Sequence, residues 1–347
     1  MAGPLAGGGG EPLSRFRRLA DLTAVVTFLL IVVGGIVRVS QSGLGCGPGG
    51  SGTKGWPLCG GQVIPLVGNE NRVIEFSHRL LATVVVVLIA VLCWRAYKHL
   101  REGHGWAFRG SLIAGVLVLV QAVLGGLTVE HSLAEELVAA HLGTAMLLLG
   151  LLLWLGAKAR SEAATEAGAS VKPPVRGLKS YAAVATVLLF CAIVAGGYMA
   201  GTEEEGVSDT GPNIAGAHLA CGHQFPTCGD GKFLPFGNNR LTDIHLTHRV
   251  FVYLATIAII VLLSVAFARG SRDRLLALGA LLLLCQLLLG ALNVWLGEHG
   301  PLIVAHLATA TLLWATVVSI AYRLAWLPSG APTHERAPRA EASAAAA

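Results

Sequence analysis

The chain has 347 residues, 54% of them hydrophobic and only 13% charged, with a mean hydropathy of +0.66. Soluble domains carry about 25% charged residues, so this composition excludes an ordinary soluble protein and sets most of the chain against lipid. The formal charge of +5 does not point to nucleic acid, because the basic residues sit in short loops between apolar runs.

In chain order the apolar runs are Leu19–Ser40, Val73–Trp94, Trp106–Val129, Leu137–Leu155, Tyr181–Ala200, Ile244–Ala268, Leu275–Leu296 and Leu302–Tyr322. A bilayer core takes about 20 residues of helix, and lipid cannot satisfy free backbone groups. The sequence therefore predicts an all-α membrane protein of eight transmembrane helices. The first run is too long for a cleavable signal peptide, and no small-residue cleavage site follows it.

Lysine and arginine set the expected orientation. The two termini and the 2–3, 4–5 and 6–7 loops hold eighteen of them, and the opposite loops hold Lys54, Arg72, Lys232 and Arg240. Both termini are expected in the cytoplasm, with the even-numbered helices running from outside to inside. The expected organisation is a cytoplasmic tail over 1–18, a four-helix half over 19–158, a polar linker over 159–180, a second four-helix half over 181–323, and a disordered cytoplasmic tail over 324–347.

The halves repeat. Glu75-Phe-Ser-His78-Arg79-Leu aligns with His245-Leu-Thr-His248-Arg249-Val. Gln121 through Gly125 to His141 aligns with Gln286 through Gly290 to His306. Both halves begin on the same side, which makes this a parallel repeat and predicts two pseudo-symmetric four-helix bundles.

Four histidines fall inside apolar runs: His78, His141, His248 and His306. Each lies about five residues from the outer start of an even-numbered helix, roughly 6–10 Å deep at 1.5 Å per residue. An ionisable residue inside the membrane is costly and marks a functional site by default. Neutral imidazole is a common metal ligand, and two on facing helices of a bundle suit a heme iron. Zinc would want further close ligands, and copper would favour Cys or Met nearby. Each histidine taken singly is equally compatible with an interhelical hydrogen bond; the repeated set of four favours ligation.

One position breaks the repeat. Glu75 lies three residues before His78, on the same face, where the second half has His245. A poorly solvated carboxylate can act as acid or base or stabilise a developing cation. Water contact or a pair with Arg79 are the blander readings. Arg79 and Arg249 each follow a histidine, and Arg38 ends the first run; all three are candidate propionate contacts, with snorkelling as the alternative. Cys46 and Cys59 share the outer 1–2 loop, and Cys221 and Cys228 the outer 5–6 loop, suggesting one disulfide in each. A redox-active role for the first pair stays open. Cys93, Cys191 and Cys285 read as small core residues.

The run Gly34-Gly35-Ile-Val-Arg38-Val-Ser-Gln-Ser-Gly43-Leu-Gly45-Cys46, then Trp56-Pro57-Leu-Cys59-Gly60, then Glu75-Phe-Ser-His78-Arg79, resembles the heme A synthase family, and His141, His248 and His306 fit the same pattern. The resemblance spans residues 19–323. It implies an eight-helix enzyme of the bacterial cell membrane that oxidises the C8 methyl of heme O to a formyl group by successive hydroxylations, giving heme A. It also implies heme b held by His248 and His306, substrate heme O flanked by His78 and His141, and Glu75 stabilising a carbocation at the methyl before water attacks. Heme O synthase and the cytochrome oxidase assembly machinery are the implied partners. The segment Gly47–Gly55 departs from the family pattern by separating Cys46 from Cys59 further than usual. The alternative function is a diheme b-type electron-transfer subunit, which would need neither Glu75 nor the loop cysteines; a heme carrier without chemistry is a third reading.

Overall fold

The computed structural model describes residues 10–65, 69–169, 171–202, 216–297 and 299–330. It contains α1 (Gly10–Val39), α2 (Glu70–Leu100), α3 (Gly105–Glu130), α4 (Glu135–Glu166), α5 (Lys179–Gly201), α6 (Arg240–Ala268), α7 (Arg274–Leu296) and α8 (Gly300–Ile320). All eight are long and apolar enough to cross a membrane, as expected. A π-helical turn, Ala321–Trp326, continues α8. Two short antiparallel strands, β1 (Val171–Lys172) and β2 (Ser329–Gly330), tie the 4–5 connection to the segment after α8.

Local chemistry sets the helix starts. The Asn69 side chain accepts from the Arg72 N–H at the head of α2, and Asn239 accepts from Thr242 at the head of α6, each satisfying an orphan donor of the first turn. Asp273 caps α7, which ends at Gly297 in the left-handed region (φ +69°), a conformation glycine enters without Cβ strain.

The helices outrun the apolar segments. The expected tail over 1–18 is helical from Gly10, with Leu13 and Phe16 buried and Phe16 edge-on to Trp106. α4 continues to Glu166, into the expected linker, where Glu162 accepts from Trp106 Nε1 at 2.7 Å and meets His104 Nδ1 at 2.8 Å. The expected tail at 324 starts instead as helical turn and strand. A polar helix end costs little once it leaves hydrocarbon, so hydropathy marks the membrane and not the helix. Residues 1–9 and 331–347 of the expected tails lie outside the described residues.

Within the first half each helix packs on its neighbours, with α1 closing on α4; within the second, α5 closes on α8 in the same way. The halves join along α1–α8, α4–α5 and α4–α8. These central helices are the most buried of the eight, and α3 the least. At their crossing Trp314 Nε1 donates to the Met146 carbonyl at 3.0 Å. Leu149, Leu152, Leu313 and Val317 pack beside it with almost no exposure. At the N-terminal ends of α6 and α4, Arg240 pairs with Glu135, whose side chain is 4% exposed. Tyr198 of α5 reaches the same carboxylate at 3.4 Å. Replacing Arg240 by Ala strands a buried carboxylate, a loss of about 1–3 kcal/mol. The apparent melting temperature of the detergent-solubilised protein should fall by several degrees; an unchanged melt would show that the pair does not hold the halves.

Candidate functional site

Counted from their helix starts, His78 and His248 are the ninth residues of α2 and α6, and His141 and His306 the seventh of α4 and α8. That is about 9–12 Å along each axis from the first residue of the helix. His78 and His141 stand within electrostatic range of each other, as do His248 and His306. The structure thus brings together the two histidines of each half.

Each imidazole is seated against a glycine of the preceding helix. A Cβ added at Gly34, Gly125, Gly196 or Gly290 would lie 3.2, 3.3, 3.0 and 3.2 Å from the Cε1 of His78, His141, His248 and His306 respectively. Such distances are tighter than ordinary van der Waals contact, so a methyl there would push the ring. The next residue in three of the four helices is again glycine, and Gly35 and Gly197 instead admit Leu307 and Leu142 from neighbouring helices. The paired small residues were visible in the sequence, and a Gly-x₁₅-His spacing recurs as Gly125–His141 and Gly290–His306. Their opposition to the histidines was not visible, because it depends on helix rotation.

His248 Nδ1 lies 3.0 Å from the Ala192 carbonyl. The Nδ1 atoms of His78, His141 and His306 are buried without a hydrogen-bond partner. Gln121 Nε2 donates to the His141 carbonyl at 2.7 Å, and Gln286 Nε2 lies 3.1 Å from His306 Nε2. Among the described residues, no three His, Cys, Asp or Glu side chains gather as a metal site made by protein alone; the histidines come in twos.

Glu75 is 3% exposed, and both its oxygens are held. Oε2 accepts the Cys46 N–H at 2.7 Å, and Oε1 pairs with Arg79 one turn on. Arg79 also donates to the carbonyls of Gly55 and Leu58 at 2.7 and 2.9 Å. The Cys46–Cys59 disulfide closes this same loop. The Gly47–Gly55 insertion is tied to the end of α3, where Gly50 N–H donates to the Glu130 carbonyl and Gly52 N–H to its carboxylate. Trp56 packs on Gly126 of α3.

The second half builds the same cap with different chemistry. Cys221 and Cys228 form its disulfide. Arg249 donates to the carbonyls of Gln224 and Thr227, each at 2.9 Å. Leu58 and Thr227 each precede the second cysteine, in Trp56-Pro57-Leu58-Cys59 and Phe225-Pro226-Thr227-Cys228, a likeness overlooked in reading the chain. Where the first half has Glu75, His245 is buried with Nδ1 2.9 Å from the Ala217 carbonyl. Arg79 and Arg249, read in the sequence as candidate propionate contacts with snorkelling as the alternative, each donate to the carbonyls of the disulfide-closed loop of their half. Arg38 donates to the Ala200 carbonyl at the end of α5. Cys93, Cys191 and Cys285 are free thiols within helices.

Residues 17–318 match the COX15-CtaA family, described as cytochrome oxidase assembly protein. A heme A synthase of Shouchella clausii is 29% identical over 317 residues, covering 89% of this chain and 94% of that protein. One of Halalkalibacterium halodurans is 26% identical over 306 residues, covering 86% and 93%, and one of Alkalihalophilus pseudofirmus is 27% identical over 272 residues, covering 77% and 82%.

Hydrogen bonds from a charged donor contribute about 1.5–3 kcal/mol each. Arg79→Ala removes two such bonds from the 1–2 loop, so amide exchange at Gly60 and Gly61 should quicken by about tenfold or more. Unchanged protection by hydrogen–deuterium exchange would show that the disulfide alone orders the cap.

Proposed function

The chain belongs to the COX15-CtaA family of cytochrome oxidase assembly proteins, and on that premise we propose that it is an oxidoreductase acting on heme O, oxidising the C8 methyl to a formyl group to yield heme A. The supporting observation is the unequal pair of sites. Each half has two imidazoles at matched depth, seated on glycine, under a disulfide-closed loop. Among the described residues only the first adds a buried carboxylate, Glu75, one turn before a histidine.

The residues present fit a heme in each half. Paired imidazoles supply both axial ligands. The glycines leave backbone where a Cβ would displace the rings, and three buried Nδ1 atoms await partners. In this reading His248 and His306 hold heme b, and His78 and His141 flank the substrate heme O. Heme b, when bound, supplies a one-electron carrier. The pseudo-symmetry of the two bundles belongs to the same proposal.

The chain's own groups act on the substrate through Glu75. Its position is set by the Cys46 N–H and by Arg79, so its charge is held beside the substrate site without reorganisation. That charge stabilises positive charge developing at the C8 methyl; each hydroxylation takes its oxygen from water and releases two electrons and two protons, so the reaction requires an electron acceptor outside the protein. The loop over the site restricts bulk water. The guanidinium groups of Arg38, Arg79 and Arg249 lie at the level of the outer loops and would meet the propionates there. Both termini are placed in the cytoplasm by the lysine and arginine bias, which sets both sites in the outer leaflet. Heme O synthase and oxidase assembly factors are the proposed partners for delivery and uptake.

The likeness of the four glycine–histidine seats favours one second reading, a diheme b-type electron-transfer subunit. Glu75→Ala separates the two. Loss of a positioned acid, base or charge costs about 10²–10⁴-fold in rate, so heme O should accumulate at the expense of heme A while heme b stays bound. Normal heme A output from that variant, measured by pigment extraction from membranes, would remove Glu75 from the chemistry. Two stoichiometric b-type hemes with no heme O or A would favour the electron-transfer subunit.

A further inference from the structure

The four glycines do more than leave room. In a helix, the Cβ of residue i+4 lies over the carbonyl of residue i, which is why Ser and Thr side chains bond back to that oxygen. Glycine at i+4 bares the carbonyl to a second donor. Counting four back from Gly34, Gly125, Gly196 and Gly290 gives Leu30, Gln121, Ala192 and Gln286. At Gly196 the consequence is visible: the bared Ala192 carbonyl lies 3.0 Å from His248 Nδ1, and that ring sits closest to its glycine, with Nδ1 3.2 Å from the ideal Cβ. At Gly34, Gly125 and Gly290 the corresponding distances are 3.8, 3.9 and 3.8 Å, and those three Nδ1 atoms are the ones buried without a partner.

We infer that Gly34, Gly125, Gly196 and Gly290 are positioning residues: each leaves a helix carbonyl open to the Nδ1–H of one histidine, a bond made here by His248 and to be made by His78, His141 and His306 when Nε2 ligates, which fixes the tautomer with Nε2 as the ligating atom. A carbonyl only accepts, so the ring nitrogen facing it carries the proton and the neutral imidazole keeps its lone pair on Nε2. Ligating histidines generally hand their second nitrogen to a carbonyl or carboxylate, which orients the ring and raises its basicity. Here the acceptor comes from the helix backbone, so no polar side chain has to be buried in the bilayer to provide it. The inference rests on the heme-ligating reading of the histidines.

The test uses the purified full-length protein and Gly196→Ala, with Gly290→Ala as a second variant through His306. Gly279→Ala is the control: it makes the same change within α7, but its Cβ meets only ordinary contacts at 3.5–3.7 Å. The two test variants should bind added hemin on the order of 10–100-fold more weakly and shift the low-spin ferric electron paramagnetic resonance signal, and the control should do neither. Unchanged affinity and signal in the test variants, or equal changes in the control, would overturn the inference. If neither test variant accumulates, the unmodified protein decides. Pulsed electron–nuclear double resonance should find an exchangeable Nδ1 proton on each axial imidazole; a ligand ring lacking it would refute the inference. A wild-type protein that binds no heme would instead remove the functional proposal beneath it.

Discussion

An imidazole inside a membrane-spanning helix needs a partner for each ring nitrogen, because lipid offers none. This protein sets four imidazoles against helix backbone, and one of them, His248, meets a backbone carbonyl at 3.0 Å. Each histidine lies near the N-terminal end of an even-numbered helix and rests on a glycine of the odd-numbered helix before it. The contact requires close approach of paired helices, and close approach requires small residues at the crossing. The adjacent positions Gly35 and Gly197 extend this to the helices that join the halves, admitting Leu307 of α8 and Leu142 of α4. The seats of the histidines and the seam of the molecule are thus made by neighbouring residues.

Above each pair lies a loop that could not order itself by apolar burial. Each is closed by a disulfide and pinned by an arginine that follows a histidine in sequence and donates to the carbonyl before the second cysteine. Adjacent residues point about 100° apart on a helix, so histidine and arginine divide one level of the helix between the interior and the cap. In the first half the same arginine also holds Glu75. Loop order and carboxylate position there are one network, and a disturbance of either is felt by the other. In the second half His245 occupies the Glu75 position and turns to the Ala217 carbonyl, so among the described residues no buried carboxylate stands at that position.

Much of this was legible in the chain. A span of about 20 apolar residues leaves lipid only one backbone solution, so all eight helices were readable. The histidines and Glu75 stood out because polar groups are rare in such runs. Helix ends were misjudged, since Glu162 and Glu166 extend α4 where hydropathy has already fallen. The double duty of Arg79 was half seen: its pairing with Glu75 is a one-turn relation, whereas its bonds to Gly55 and Leu58 depend on a loop fold that no local pattern encodes. Gly125 and Gly290 stood in the repeat and Gly34 in the family motif, while Gly196 was not singled out; the opposition of all four to the imidazoles depends on the rotation of two helices about their axes.

The central claim is that paired imidazoles near the outer ends of the even-numbered helices hold heme iron. Pigment extraction from the purified wild-type protein, together with its low-temperature electron paramagnetic resonance spectrum, tests it most directly. The account predicts heme b in the isolated protein, with heme O or heme A alongside it, and a low-spin ferric signal of two axial imidazoles. A preparation that carries no porphyrin, or whose heme stays bound with the same spectrum after both His248 and His306 are replaced by Ala, would contradict it.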